Sequence, residues 1–588
     1  MKTQSLKRQL RNQLENVLHS LGTTDVITQI DYPTDPKHGD FSSNVSLVGA
    51  KKLQKTPRDL AEEIAKELRI ENGKKGIIEK VEIAGPGFLN FWMKEDYLIE
   101  QVESLVSGKS KIDTDFSGKK VMVEFAHPNT HKAFHIGHLR NITTGESLIR
   151  LLEAVGAHVT RVNYQGDVGM HIAKCLYGIL QSEKSKVQSE KLDIKQKVAL
   201  LGEAYAAGSK AYEEDENAKK EIGEINKKIY GRDRSIWELY QTTRQWSLDY
   251  FAEIYKRVYT HYDRYYFESE VYETGKENVL RGLKDQIFQK SDGAILFPGE
   301  KFRLHNRVFI THEGNPTYEG KEMGLGPLQF EEYHPDLIIH VVGHEQAGYF
   351  QVVFEALAQL FPETRGKEFH LAYGLVKLKH GKMSSRSGNV ILGEWLIDEA
   401  KKRIFDILKK NKSDYSPDEQ ERIAEQVAVA AVKYSFLKVS TQQEIAFDLD
   451  ESVSFDGNSG PYLQYTYART QSVLRKTENE ERRTKNTWKF DQSTDGGNLK
   501  VEIAERELLR LLSRFEEIVE EAAVRYSPNI LTTYLFELAQ AFNLFYQKHP
   551  ILREKENVRD FRLFITAATG TVLQKGLNLL GIQAPDVM

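Results

Sequence analysis

Cysteine is almost absent from this sequence: Cys175 stands alone among 588 residues. A disulfide within the chain and a cysteine-built structural zinc site are therefore excluded, and a cytoplasmic location is expected. Cys175 follows His171 by four residues and reads as a small apolar helix residue rather than a reactive thiol. The chain also lacks any apolar run of about 18 residues or more, which excludes a membrane-spanning helix and leaves no membrane partner to expect. Its opening, MKTQSLKRQLRNQLENVLHSLG, has neither the unbroken apolar core nor the small-residue cleavage site of a signal peptide, and reads as an amphipathic helix. Nor is there an excess of one charge. Lys and Arg number 81 against 85 Asp and Glu, for a net charge of −4, so bulk charge does not point to nucleic acid. A phosphate-binding surface has to come from local clustering of basic residues. No internal repeat is visible.

What the chain does have is room for about three or four domains, with 40% hydrophobic and 28% charged residues, enough to bury several cores. Residues 1–113 read as an α+β unit. Its turn-rich stretch DYPTDPKHGDFSSNVS is followed by PRDLAEEIAKEL, with Pro57 at a first helical turn, and by strand signals on both sides of Gly85-Pro86-Gly87. Residues 114–400 alternate strand and helix. KKVMVEF, HVTRVNY and the nearly all-apolar DLIIHVVG read as strands, the last as one covered on both faces. Leu139, Ile142, Leu148, Leu151, Leu152 and Val155 follow helical spacing, as do Phe350, Val353, Phe354, Leu357, Leu360 and Phe361. This pattern predicts an α/β fold: a doubly wound parallel (Rossmann-like) catalytic sheet whose ligands sit beyond the C-terminal ends of the strands. A charged helical insertion covers about 181–260. Residues 401–588 read as an α-helical bundle, on the stripes Ile423, Val427, Ala431, Tyr434, Leu437 and Leu531, Leu535, Leu538, Phe542, Phe545. The polar stretch around 477–500 reads as a loop.

Two segments carry chemistry. EFAHPNTHKAFHIGHLRN (124–141) runs from a strand into the start of a helix. There Gly137 allows close backbone approach, free N–H groups and the helix dipole favour phosphate, and His135 and His138 can donate to phosphate or ribose oxygens. His131, His135 and His138 also have zinc-like spacing, but the glutamate of the metalloprotease pattern is missing and the segment opens in a loop, so no metal site is expected. KHGKMSSRSGNVI (379–391) is a Gly/Ser-rich loop in which Lys382 and Arg386 can grip a triphosphate while Ser384 and Ser385 add hydroxyl donors; an ordinary basic surface loop is the alternative.

In this order on an α/β pattern, the two segments resemble the His-Ile-Gly-His and Lys-Met-Ser-Lys-Ser signatures of class I aminoacyl-tRNA synthetases. Further strings resemble the arginine-specific family along nearly the whole chain. HGDFSSNVSL with AGPGFLNF is similar to its N-terminal tRNA-elbow domain, VNYQGDVGMHIAK to its catalytic core, FDGNSGPYLQYTYAR to the entry of its anticodon-binding bundle, and LLGIQAPDVM to its C-terminus. The cysteine-specific family is a poorer match, since its zinc-binding cysteines are absent. A non-catalytic tRNA-binding paralogue is disfavoured by intact His135, His138 and Lys382.

The resemblance implies ATP-dependent joining of L-arginine to tRNA(Arg) through an arginyl-adenylate, with Mg²⁺ carried on the nucleotide, no tightly bound protein metal and a monomeric chain. By position it implies that Glu124 and Asn129 hold the amino group of arginine and that Tyr318, Glu322 and Gln346 form the side-chain pocket. A guanidinium is a planar fork of donors that suits a carboxylate with aromatic or amide partners; without the resemblance, Tyr318 and Glu322 read as part of a turn. ATP falls to His135, Gly137, His138, Lys382, Met383, Ser384, Ser385 and Arg386, with Lys132 as a further catalytic cation. Tyr534, Asn543, Tyr546 and Met588 are the candidates for tRNA contact, although Tyr534 and Tyr546 fit a core equally well. Tyr462, Gln464 and Tyr465 read as structural. The sequence departs from the family pattern at His127 (often serine), Glu322 (usually aspartate), Val168 (commonly tryptophan) and Ser385-Arg386. No editing domain is expected, because a pocket built for a guanidinium rejects other side chains by leaving its polar groups unpaired.

Overall fold

The computed structural model describes residues 6–588 apart from 24, 25, 27, 34, 73–75, 109–113, 183–191, 380–390, 411–414, 478–489 and 491–499. The stretch expected as a loop around 477–500 therefore lies almost wholly outside the described residues.

The apolar runs form the centre. Lys120–Glu124, His158–Gln165, Arg264–Phe267, Leu337–Gly343 and Glu368–Tyr373 build one five-stranded sheet, parallel throughout. In chain order the strands lie 3-2-1-4-5 across it, so the first and fourth are neighbours where the winding reverses. Successive side chains point to opposite faces. Val121, Val123, Ile339 and Val341 pack on one side against Leu139 and Ile142 of the helix Ile136–Ala154. Met122 and Ile338 pack on the other against Leu325 and Phe330 of the helix Tyr318–Tyr333. Two covered faces explain why these strands read as continuous apolar runs; each such side chain contributes about 1.5–3 kcal/mol. The crossovers carry the helices on both faces, as the doubly wound expectation requires.

The charged insertion is helical: Ile194–Glu214, Glu216–Tyr230 and Arg234–Arg257. With Met170–Gln181 it has its own core of Ile172, Cys175, Leu176, Leu201, Ile222 and Ile229, so Cys175 is a buried packing residue. A Cβ on Gly208 would lie 1.9 Å from the Lys174 carbonyl oxygen, and one on Gly178 would lie 2.0 Å from that of Ala204. The backbones of two helices cross there with no room for a side chain. One feature escaped the sequence reading, which accounted for most of the chain between the signatures by the core and the helical insertion. Gln289–Ser291, Ala294–Phe297 and Arg307–Ile310 form a separate antiparallel sheet.

The N-terminal unit has helices Leu6–Ser20, Pro57–Asn72 and Glu95–Val106 and a four-stranded antiparallel sheet that includes the hairpin Ile78–Ala84 with Phe88–Met93. Its core does not close on itself. Leu10, Leu98, Val102 and Leu105 belong to the same apolar cluster as Leu508, Leu512, Leu531 and Leu573 of the C-terminal helices. Arg506 donates to both oxygens of Asp40 at 3.0 Å, and Arg510 to the Gly39 carbonyl at 3.2 Å. The bundle comprises Gly393–Lys410, Pro417–Leu437, Gly460–Arg475, Ile503–Leu512, Phe515–Val524, Pro528–Lys548 and Glu556–Leu579. The last turn of its final helix meets the catalytic layer: Ser147 and Arg150, on the helix Ile136–Ala154, donate to the carbonyls of Leu579 and Asn578 at 3.2 and 3.0 Å.

Candidate active site

The helix Ile136–Ala154 starts just beyond the C-terminal end of the first strand, at the point where the sheet winding reverses, which is where ligands of such sheets bind. Its first turn is capped by its own histidines. His135 Nδ1 accepts from the Gly137 N–H, and His138 Nδ1 accepts from the His135 N–H, each at 3.1 Å. The two rings stack with centroids 3.7 Å apart. An imidazole that accepts through Nδ1 carries its proton on Nε2, so both rings are left with a donor. Burial depresses both histidines, Lys132 adds to this for His135, and His135 itself adds to it for His138. The pair therefore stands neutral, as two fixed N–H donors rather than as cations. A Cβ on Gly137 would lie 2.9 Å from His135 Cε1, so only glycine leaves that ring in place.

The second signature returns onto this turn. Ile136 N–H donates to the Ile391 carbonyl at 2.9 Å, Gly393 N–H to that of Phe134 at 3.0 Å, and Leu392 bridges His135. On its other side the segment leaves from Val376–Leu378, which pairs in parallel with Ile445–Phe447. Lys382, Met383, Ser384, Ser385 and Arg386 themselves lie outside the described residues.

Beside the helix tip lies a buried acidic cluster. Glu124 ends the first strand and His340 stands opposite it in register on the fourth. They occupy the positions after Met122 and Ile338 on one face, so the polar pair replaces the next apolar layer. Glu124 Oε1 meets His340 Nδ1 at 3.1 Å, and Oε2 accepts from Gln329 Nε2 at 2.6 Å. His340 Nε2 meets Glu368 Oε2 at 2.9 Å. Burial alone would raise Glu124, but the charge and hydrogen bond of His340, with help from His127 and Gln329, outweigh it and hold the carboxyl below its usual range. Burial likewise opposes a charge on His340, yet Glu124 and Glu368 drive it well above the ordinary histidine value. Glu322 accepts from the Tyr349 hydroxyl at 3.0 Å. Burial and then repulsion from Glu124 push its carboxyl up to about 8. Tyr318 is exposed one turn before Glu322 on the same helix, and Gln346 is exposed at the start of Ala347–Leu360. The two acids thus form a floor, and the tyrosine and the amide stand on surrounding elements that open to solvent. Asn129 lies over Gly166, where a Cβ would meet its Oδ1 at 2.1 Å. Lys132 is half-buried, and desolvation lowers it despite Glu268 nearby. Next to it Lys321 and Glu268 form a buried pair at 2.6 Å.

In the bundle, Tyr465 and Tyr546 are both about two-fifths exposed, and the Arg469 guanidinium lies between them, 4.8 and 5.1 Å from their ring centres. Asn543 is buried. It is bonded to Arg469 and donates to the Tyr462 hydroxyl and to Thr466 Oγ1, each at 2.9 Å. Tyr534 differs from what RNA contact would need: its ring is buried and its hydroxyl donates to the Leu511 carbonyl at 2.9 Å, so it serves packing. Met588 is half-buried against the core. The sequence reading missed His340, Gln329, Glu368, Tyr349 and Arg469. Only His340 carried a local signal, as a lone polar residue inside an apolar strand.

Three family models match: "tRNA synthetases class I (R), catalytic domain" over residues 101–449, "DALR anticodon binding domain" over 463–588, and "Arginyl tRNA synthetase N terminal domain" over 4–93. Among curated relatives, arginine–tRNA ligases of Treponema denticola and Porphyromonas gingivalis are 34% and 32% identical, over 95% of this chain in each case and 94% and 97% of theirs. The arginyl-tRNA synthetase structure from Thermus thermophilus has a TM-score of 0.80 at 24% identity, covering 99% of this chain and all of that one. The Plasmodium falciparum arginyl-tRNA synthetase structure also scores 0.80, at 20% identity, with all of both chains covered. With a catalytic-domain model spanning more than half of its length and relatives above 30% identity along nearly all of it, this chain belongs to the class I arginyl-tRNA synthetase family.

Proposed function

We propose that the chain joins L-arginine to the 3′ end of tRNA(Arg) at the expense of ATP, through an arginyl-adenylate and with release of AMP and pyrophosphate, in the cytoplasm. The observation that carries the reading is the placement of two neutral histidine donors, at the switch point of the sheet, beside a buried carboxylate floor. The substrate carboxylate attacks the α-phosphorus and pyrophosphate leaves. That carboxylate is already nucleophilic, so the protein has to position and stabilise charge rather than supply a base. His135 and His138 donate through Nε2 to phosphate oxygens, and Gly137 keeps the backbone close. Lys132 adds positive charge. Lys382 and Arg386 neutralise the departing pyrophosphate, with Met383, Ser384 and Ser385 completing the ATP segment. Mg²⁺ would be held by nucleotide oxygens rather than by a dedicated set of protein ligands.

Glu124 and Asn129 take the α-amino group. Glu322, with Tyr318 and Gln346, takes the guanidinium. We assign the anticodon to the Tyr465–Arg469–Tyr546 stack, two aromatic faces on which unstacked bases can lie. Asn543 orients Arg469, Tyr534 lies in the packing of the bundle, and Met588 lies against the core shared with the catalytic sheet. The N-terminal unit (1–113) would meet the tRNA elbow, residues 114–400 the reacting groups and 401–588 the anticodon, with the chain acting as a monomer. Aminoacylation of tRNA with each amino acid in turn tests the reading. Arginine-dependent charging is expected, and charging with another amino acid, or none, would refute it. The family resemblance further predicts that ATP–pyrophosphate exchange requires tRNA; equal exchange with and without tRNA would remove that part.

A further inference from the structure

We propose that His340 is a positioning residue for the amino-acid half of this site: a doubly protonated imidazole that holds the Glu124 carboxylate where it receives the α-ammonium group of the substrate. The inference rests on the reading above that Glu124 binds that group.

The geometry demands two donors. Both ring nitrogens lie at hydrogen-bond distance from carboxylate oxygens, Nδ1 from Glu124 at 3.1 Å and Nε2 from Glu368 at 2.9 Å. A neutral imidazole has one N–H and could satisfy only one of them. The surroundings favour the cation. Glu322 and Gln329 face the cluster from the helix Tyr318–Tyr333, Tyr349 from Ala347–Leu360, Glu368 and His370 from the edge strand, and His127 from the loop after the first strand. Phe350 and Phe354 lie against the ring at 5.2 and 5.4 Å and shield it from water. A buried cation between two carboxylates loses little by desolvation that they do not restore.

The consequence falls on Glu124. A carboxylate accepts up to about four hydrogen bonds, and His340 and Gln329 use one on each oxygen. What remains is fixed in direction. On the side of His127, whose Nδ1 lies 3.9 Å from Oε1, the His127 Nε2 finds no hydrogen-bond partner among the described residues. Without the His340 charge, a carboxyl this deeply buried would take up a proton, and a protonated carboxyl is a poor receiver for an ammonium group.

The test uses the full-length protein with ATP and tRNA, comparing wild type with His340→Asn and His340→Gln. Each variant keeps one amide donor and loses the charge. Selectively ¹⁵N-labelled histidine, with the His340 signal assigned by its loss in the variants, should show both ring nitrogens still protonated well above the ordinary histidine value of about 6.5. KM for arginine should rise about tenfold or more, one lost charge-assisted contact, while KM for ATP holds. Inhibition by arginine lacking its α-amino group, 5-guanidinopentanoate, should be unchanged, because that molecule has nothing for Glu124 to hold. A neutral His340 ring, an unchanged KM for arginine in both variants, or equal weakening of arginine and 5-guanidinopentanoate would each overturn the proposal. Failure of wild type to bind arginine at all would instead sink the underlying functional reading, and the ring's protonation would still be measurable.

Discussion

Acidifying the medium from about pH 8 to about pH 6.5 should weaken arginine binding through one side chain, Glu322. Its carboxyl is buried on the floor of the site, bonded to the Tyr349 hydroxyl and repelled by Glu124, and is pushed up to about 8. An arriving guanidinium favours the ionised form, so the complex holds Glu322 as a carboxylate while the free site below pH 8 holds it protonated. Binding then releases a proton, and apparent affinity falls about tenfold for each pH unit below 8, about 1.4 kcal/mol per unit. The neighbours stay silent in this window: Glu124 is held low, and His340 and Tyr349 are held well above their ordinary values. His135 and His138 are depressed below it. Calorimetric titration with arginine at about pH 7, in buffers of different ionisation enthalpy, should report close to one proton released per arginine bound. Glu322→Gln should bind more weakly at pH 8 by about 1.5–3 kcal/mol, the value of a charged hydrogen bond, and should lose the slope. A flat wild-type profile, or an unaltered slope in the variant, would refute the assignment of the guanidinium to Glu322.

Taking the His138 donor away from the Nε2 position should lower kcat about a hundredfold: His138→Asn, whose shorter side chain keeps an acceptor for the His135 N–H but cannot place its amide N–H where Nε2 stood, should do so without loss of melting temperature, whereas His138→Ala should also lose about 1 kcal/mol of capping. An unchanged kcat in either variant would take His138 off the catalytic list. Tyr465→Ala and Tyr546→Ala should each weaken tRNA binding by about 1–3 kcal/mol and leave KM for arginine unaltered; filter binding and steady-state kinetics check the two halves. Gly208→Ala should destabilise the fold by about 1–3 kcal/mol, because its methyl has only the Lys174 carbonyl to occupy; a denaturant midpoint equal to wild type would show that the helices part freely.

Much of the catalytic layer was legible because its physics is local. KKVMVEF and DLIIHVVG are buried on both faces, and a residue's own neighbours reveal that. Likewise the helix stripe from Leu139 to Val155 follows from a single period. The histidine turn stood out because it too is local, but its self-capping was not foreseen: the sequence suggested free N–H groups, whereas the Gly137 N–H is taken by His135 Nδ1. What stayed hidden depends on register and on distance along the chain. His340 meets Glu124 only because the fourth strand pairs with the first in one register, 216 residues apart, and no periodicity reports that. The stack of Arg469 between Tyr465 and Tyr546 joins two helices, so Tyr465 alone read as structural, Tyr546 fitted either role, and Arg469 was missed. Tyr534 has the helical spacing of a core residue, and its hydroxyl finds a backbone carbonyl rather than solvent. The small sheet Gln289–Ile310 was overlooked because its strands are three or four residues long, too short for alternation to show.

The apolar packing that joins Leu98 and Leu105 to Leu508 and Leu573 also sets an order of events during synthesis. The helix Glu95–Val106 leaves the ribosome roughly 400 residues before the helix Ile503–Leu512 that covers it. At about 5–20 residues per second that is about 20–80 s. For that interval the start of the nascent chain carries a greasy face with nothing to shield it, long enough for a chaperone to find it. A stalled or truncated message should accordingly yield aggregates rather than a stray folded head.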